Sequence, residues 1–253
     1  MISNMLWGEI IKDFQEKKMP ELVEREIHYP LEPPIKRAVV LVGPRRAGKT
    51  YLMFKAIKDL LSKGIEKKCI LYVNFEDTRL TGASVLDLNN LLNVFFEIFP
   101  ENKSKKIWFF LDEIQVIEHW EKFVRMLLDM DNFHVFVTGS SSKLMSREIA
   151  TSLRGRNLTY DVFPFSFVEY LKAYKITSKK YLSTMERSKI IKNLDEYIVH
   201  GGYPETVIYR HEFEKILREI LDVTIYRDVV ERHKVKNVKL LKIFFTARSE
   251  ERR

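Results

Sequence analysis

Gly43-Pro44-Arg45-Arg46-Ala47-Gly48-Lys49-Thr50 (GPRRAGKT) decides how this chain is read. It fits G-x-x-x-x-G-K-[ST], the Walker A pattern. The apolar run before it, Arg37 to Val42 (RAVVLV), reads as a strand buried on both faces, and residues 49 to 63 read as a helix stopped by Gly64. These residue types suit one task. Glycine lets the chain turn with its N–H groups facing inward, and such a nest holds phosphate oxygens. The helix N-terminus adds partial positive charge. Lys49 is expected to neutralise β- and γ-phosphates, and the Thr50 hydroxyl to coordinate Mg²⁺, a hard ion that prefers oxygen. The expected nucleotide-binding set is Gly43, Pro44, Arg45, Arg46, Ala47, Gly48, Lys49, Thr50 and Tyr51. The bland alternative is a turn that matches by accident. With glycine near ~7% of residues, that chance is on the order of one in a hundred.

Working outward, further short apolar runs read as strands: Cys69 to Phe75 (CILYVNF), Ile107 to Leu111 (IWFFL), Phe133 to Thr138 (FHVFVT) and Leu158 to Phe163. Between them lie helical patterns at 84–99, capped by Ser84 and ended by Pro100, at 118–131 and at 143–150. An amphipathic helix is expected over residues 5–18, with Leu6, Ile10, Ile11 and Phe14 on one face. The stretch Pro30 to Pro34 (PLEPP) reads as a linker. Strands alternating with helices predict an α/β fold with a parallel sheet covered on both faces. After Pro164 the strands stop, and helical patterns run over 165–175, 187–200 and 212–232.

Leu111-Asp112-Glu113 follows the run IWFF. In an open α/β sheet, ligands bind beyond the carboxyl ends of the strands. Asp112 is expected there as the second Mg²⁺-site residue, and Glu113 as the base for the water that attacks the γ-phosphate. Taken alone, the pair would read as a helix start, since acids favour helix N-termini. The fourth strand ends in Thr138-Gly139-Ser140-Ser141-Ser142, where a hydroxyl of Ser140 or Ser141 is expected to sense the γ-phosphate, a helix cap being the alternative.

Composition narrows the classes. The 253 residues suggest about two domains. Lys and Arg number 43 against 35 Asp and Glu, so the formal charge is +8, which permits nucleic acid or phosphate binding. The single cysteine, Cys69, excludes an intrachain disulfide framework and suits a reducing, cytoplasmic setting. No apolar run approaches the ~18 residues of a membrane span, and Glu9 interrupts any signal-like core. His28, His119, His134, His200, His211 and His233 show no paired metal spacing. Cys69 and the aromatic segments FFEIF and FPFSF are expected in packing, and KNVKLLK (236–242) on a solvated helix face before a nucleic-acid contact.

At these motifs the chain resembles a prokaryotic AAA-type P-loop ATPase family. The resemblance runs from GPRRAGKT through YVNFEDTRL (72–80), FFLDEIQVIEHWE (109–121), VTGSSSKLM (137–145), LRGR (153–156) and FPFSFVEYL (163–171) to GGYPE (201–205) and YRDVVER (226–232). It implies a P-loop core with an extra strand inserted between the Walker A and Walker B strands, matched here to Cys69–Phe75, and Glu113 as catalytic base. It also implies an arginine before the last core strand that reaches the γ-phosphate, often of a neighbouring subunit: Arg156 or Arg154. The implied organisation is an N-terminal helical segment (1–30), the ATPase core (31–165), a helical lid (166–235) and the start of a C-terminal region (236–253). The apolar run ending at Phe244 and Phe245, followed by TARSEERR, suggests a truncated frame or association with another chain. ATP and Mg²⁺ are the expected cofactors, with a homo-oligomer, DNA or a protein as open partners and no membrane. The expected function is a Mg²⁺-dependent ATPase driving or gating a conformational switch. The alternative is an ATP-gated DNA- or protein-binding module with little turnover. A small-molecule kinase is disfavoured, as no acceptor pocket is identifiable.

Overall fold

The computed structural model describes residues 1–140, 151–176 and 181–231, together with residues 235, 237, 240, 241 and 243. Ser141, the helical pattern at 143–150, Phe244 and the polar end lie outside the described residues, as does most of 236–242.

Each of the five apolar runs forms a strand: β1 (Ala38–Gly43), β2 (Ile70–Asn74), β3 (Ile107–Asp112), β4 (Phe133–Ser140) and β5 (Asn157–Asp161). They pair in parallel as one sheet in the order β2-β3-β4-β1-β5. Every residue of β1 and of β3 is buried, because helices cover both faces and leave no wet side for polar alternation. The covering helices are α1 (Asn4–Glu16), α2 (Lys49–Ser62), α3 (Val85–Ile98) and α4 (Trp120–Asp129). Through Trp7, Ile10, Ile11 and Phe14, α1 shares the core of the sheet. Phe95 and Phe96 of the FFEIF segment pack against Phe109 and Phe133, which is core packing.

Two expectations change. The strand standing between β1 and β3 in the sheet is β4, whereas Cys69–Phe75 forms the edge strand β2. Chain order placed it between them, but the crossover through α2 carries the chain past two strand positions before it returns. The fourth helix starts at Trp120 rather than Glu118, because His119 adopts a left-handed φ of 62° and Ile114–Val116 is a short 3-10 turn.

Register brings the chemistry to one edge. Gly43 pairs with Ser140, Leu111 with Val137 and Asn74 with Asp112, so Gly43, Asp112 and Thr138 share the carboxyl end of the sheet. Gly43 cannot be another residue there, since a Cβ would come within 2.0 Å of the Val162 carbonyl oxygen.

Beyond β5 come α5 (Phe167–Ala173), α6 (Thr184–His200), α7 (Pro204–Ile208) and α8 (Phe213–Val223), which widens into a π-helical segment over Thr224–Glu231. They gather a second, smaller apolar cluster of Phe165, Tyr170, Leu171 and Val207.

Candidate functional site

The loop between β1 and α2 turns through two left-handed residues, Arg46 (φ 61°) and Gly48 (φ 94°). Gly48 is the N-cap of α2 and offers no side-chain cap, and no acid stands in the first turn. The partial positive end of α2 is thus left to an anion. Lys49 folds back over the loop. Its Nζ donates to the carbonyls of Gly43 at 3.1 Å and Pro44 at 3.0 Å, and lies 3.8 Å from Glu113 Oε1. Burial holds this ammonium below the usual lysine range, opposed by the carboxylates of Glu113 and Asp112.

Asp112 is the hub of the cluster. It is fully buried and accepts from Thr50 Oγ1 at 2.8 Å, from the Tyr72 hydroxyl at 2.9 Å and from Thr138 Oγ1. Burial pushes its carboxyl above the ordinary range, and the three hydroxyls work against that shift. Next along the chain, Glu113 takes a left-handed φ of 52°, and its N–H donates to Thr138 Oγ1 at 2.9 Å. Its carboxylate accepts from Gln115 Nε2. Non-glycine residues seldom adopt this conformation, and at sites it is kept where surroundings fix it.

The structure therefore brings Lys49, Thr50, Asp112 and Glu113 together. Ser140 is placed by its backbone opposite Gly43. Tyr51 is half exposed at the rim. Arg45 pairs with Glu76 at 3.7 Å, and Arg46 reaches across to the C-terminal helices, 2.8 Å from Glu205 and 3.8 Å from Glu219.

Arg156 does not join the cluster of its own chain. Its carbonyl accepts from Ala38 N, at the start of β1, while the phosphate loop begins at the far end of that strand. Five strand steps of about 3.3 Å separate the two ends. Arg156 instead pairs with Asp129 at 2.8 Å and with the Leu128 carbonyl. Arg154 is exposed in the same turn, with φ 52°.

Sequence reasoning missed Tyr72, Thr138, Gln115 and Arg25. The signal for Thr138 was there: a hydroxyl closing the apolar run FHVFV. Arg25 sits in no motif, yet its Nη1 donates to the Ala47 carbonyl of the loop at 3.1 Å.

A cavity of about 1030 Å³ runs along the loop past Asn74, Asp112 and Glu113. A second of about 500 Å³ adjoins it at Gly48 and is lined by Leu22, Tyr51, Phe165 and Tyr209, among others. The oxygens of Asp112 and Thr50 are hard ligands, and a buried carboxylate invites a cation, so the residues fit Mg²⁺. Among the described residues no group of three or more His, Cys, Asp and Glu is placed to hold a metal ion. Among them, too, no helix is long and apolar enough to cross a membrane.

The family model described as AAA domain matches residues 35–171. An uncharacterized protein of Methanocaldococcus jannaschii, MJ1544, is 43% identical over 242 residues, which is 94% of this chain and 52% of that protein. An uncharacterized protein of Haemophilus influenzae is 34% identical over 204 residues, 80% of this chain and 48% of that protein. The chain thus spans about half the length of the curated relatives it matches. Among solved structures, C. elegans PCH-2 is similar at TM-score 0.38 and 12% identity, covering 72% of this chain and 50% of that one. AMPPCP-bound DnaA from Aquifex aeolicus is similar at TM-score 0.36 and 11% identity, covering 87% and 68%.

Proposed function

Because this chain belongs to the AAA domain family, whose domain spans residues 35–171, we propose that it binds Mg·ATP and hydrolyses it to drive or gate a conformational switch. One observation carries the reading: a single hydrogen-bonded cluster links Thr50, Asp112, Thr138 and Glu113 beside the buried Lys49. The triphosphate lies along the larger cavity, and the base enters the smaller, more apolar one. Lys49 exchanges its two carbonyl partners for phosphate oxygens. Asp112 and Thr50 would hold Mg²⁺, which when bound supplies charge neutralisation at the phosphates. Glu113, fixed by Thr138 at its N–H and by Gln115 at its carboxylate, orients a water and takes its proton. Ser140 is assigned as γ-phosphate sensor, and Arg156 or Arg154 as an arginine given to the site of a neighbouring subunit.

The chain divides into the core (31–165) with its N-terminal segment (1–30), the helical lid (166–235) and a C-terminal stretch (236–253). The second apolar cluster beginning at Phe165 supports that boundary. A reducing, cytoplasmic setting fits the buried thiol of Cys69.

A second reading, an ATP-gated DNA- or protein-binding module with little turnover, draws on the 3.8 Å between Lys49 Nζ and Glu113 Oε1. That ion pair occupies one oxygen of the carboxylate that would otherwise hold the attacking water. Single-turnover hydrolysis separates the two. The ATPase reading expects slow phosphate release that Glu113→Gln abolishes while ATP stays bound. Tight retention with negligible release from both forms selects the module, and absence of ATP binding by the wild type removes both.

A further inference from the structure

Arg25 lies on the extended segment between α1 and β1, only 8% exposed. All three guanidinium nitrogens are engaged. Nε donates to Glu169 Oε1 at 2.8 Å, Nη2 to the Phe163 carbonyl at 2.6 Å, and Nη1 to the Ala47 carbonyl at 3.1 Å. The plane lies 4.9 Å from the centre of the Phe165 ring. Glu169 is buried too, and it also accepts from the N–H of Glu26 at 2.6 Å and of Ser166 at 2.9 Å. This fork is held rigidly from behind, by α5 and the strand exit, with its front aimed at the phosphate loop. Stability alone is a weak reason for it, because a buried ion pair is often no better than apolar packing of the same shape.

The Ala47–Gly48 peptide is trans. In a trans peptide the C=O and N–H point to opposite sides. Holding the Ala47 oxygen toward Arg25 turns the Gly48 N–H away from Arg25, which is the sense a phosphate cradle requires. Gly48, at φ 94°, is otherwise free to rotate this unit, and even a Cβ there would stand 3.3 Å from Arg25 Nη1. We infer that Arg25 is a positioning residue of the phosphate loop, locking the Ala47–Gly48 peptide so that its N–H serves the phosphates of a nucleoside di- or triphosphate. The inference rests on the nucleotide site proposed above.

Arg25→Lys is the direct test, because lysine keeps the charge but loses the fork that reaches three acceptors at once. Calorimetric titration of ADP and of adenosine supplies a readout that general loosening does not imitate. Losing one peptide–phosphate bond is expected to weaken ADP about tenfold and to weaken adenosine, whose proposed cavity Arg25 also borders, far less. Glu169→Gln keeps the bond to Ala47 but slackens its anchor, and a smaller loss confined to ADP is expected. Equal losses for ADP and adenosine, unchanged ADP affinity in folded Arg25→Lys, or unfolding of both variants by circular dichroism each overturn the inference. Failure of the wild type to bind ADP takes down the site reading as well, and is seen before any variant is made.

Discussion

Asp112 shows how a residue of the candidate site can oppose the fold that holds it. Its carboxyl pKa is raised by burial, so folding favours the neutral form more than the unfolded chain does. The preference is fully satisfied below the ordinary carboxylate range and is lost as pH rises through the raised value. Asp112→Asn therefore should raise the thermal midpoint of the nucleotide-free protein at pH 8, by a margin that shrinks as pH is lowered. The three hydroxyls can rotate to suit an amide, so no new unpaired group is forced. The same variant should lose the Mg²⁺-dependent part of ATP affinity. Thermal melts across pH, with and without Mg·ATP, check both halves; a destabilised nucleotide-free variant would refute the sign. At this scale legibility depended on distance along the chain. Lys49, Thr50, Asp112 and Glu113 each sit in a local pattern, and so were readable. Tyr72 meets Asp112 across 40 positions and Arg25 meets Glu169 across 144, and spacing rules do not reach that far.

Among the elements, the strands were readable to within a residue or two, because burial on both faces leaves an unbroken apolar run. Their order was not, since it depends on which helix carries the chain across which face. The junction between the sheet and the C-terminal helices gives a sharper case. The segments FPFSF and GGYPE look unrelated in sequence, yet they are two halves of one contact. Phe165 N donates to the Gly202 carbonyl at 2.6 Å, and the Tyr197 hydroxyl donates to the Phe165 carbonyl at 2.8 Å. A Cβ on Gly202 would stand 2.2 Å from the Phe165 oxygen, and backbone cannot yield as a flexible side chain does. Gly202→Ala should cost about 1–3 kcal/mol in urea unfolding, the overpacking range. An unchanged midpoint would mean that the Gly202 turn rides free of the Phe165 backbone.

For the whole molecule, the position of Arg156 decides between a self-sufficient chain and an assembly. It stands at the amino end of the sheet, and its pair with the exposed Asp129 is of the kind that contributes little and is released easily. If Arg156 acts in catalysis, it acts on the site of another copy, through a head-to-tail interface in which the two contributing surfaces differ. Such an arrangement can be complemented. Arg156→Ala keeps its base but gives no arginine, and should lower turnover by a factor on the order of 10³. Glu113→Gln keeps its arginine but has no base, and should also be inactive. In a random equal mixture, roughly a quarter of the interfaces join a sound base to a sound arginine. Phosphate release should then reappear at about that fraction of the wild-type rate, although neither parent alone comes near it. A mixture that assembles on Mg·ATP, as judged by sizing, yet stays silent would confine Arg156 to its pair with Asp129.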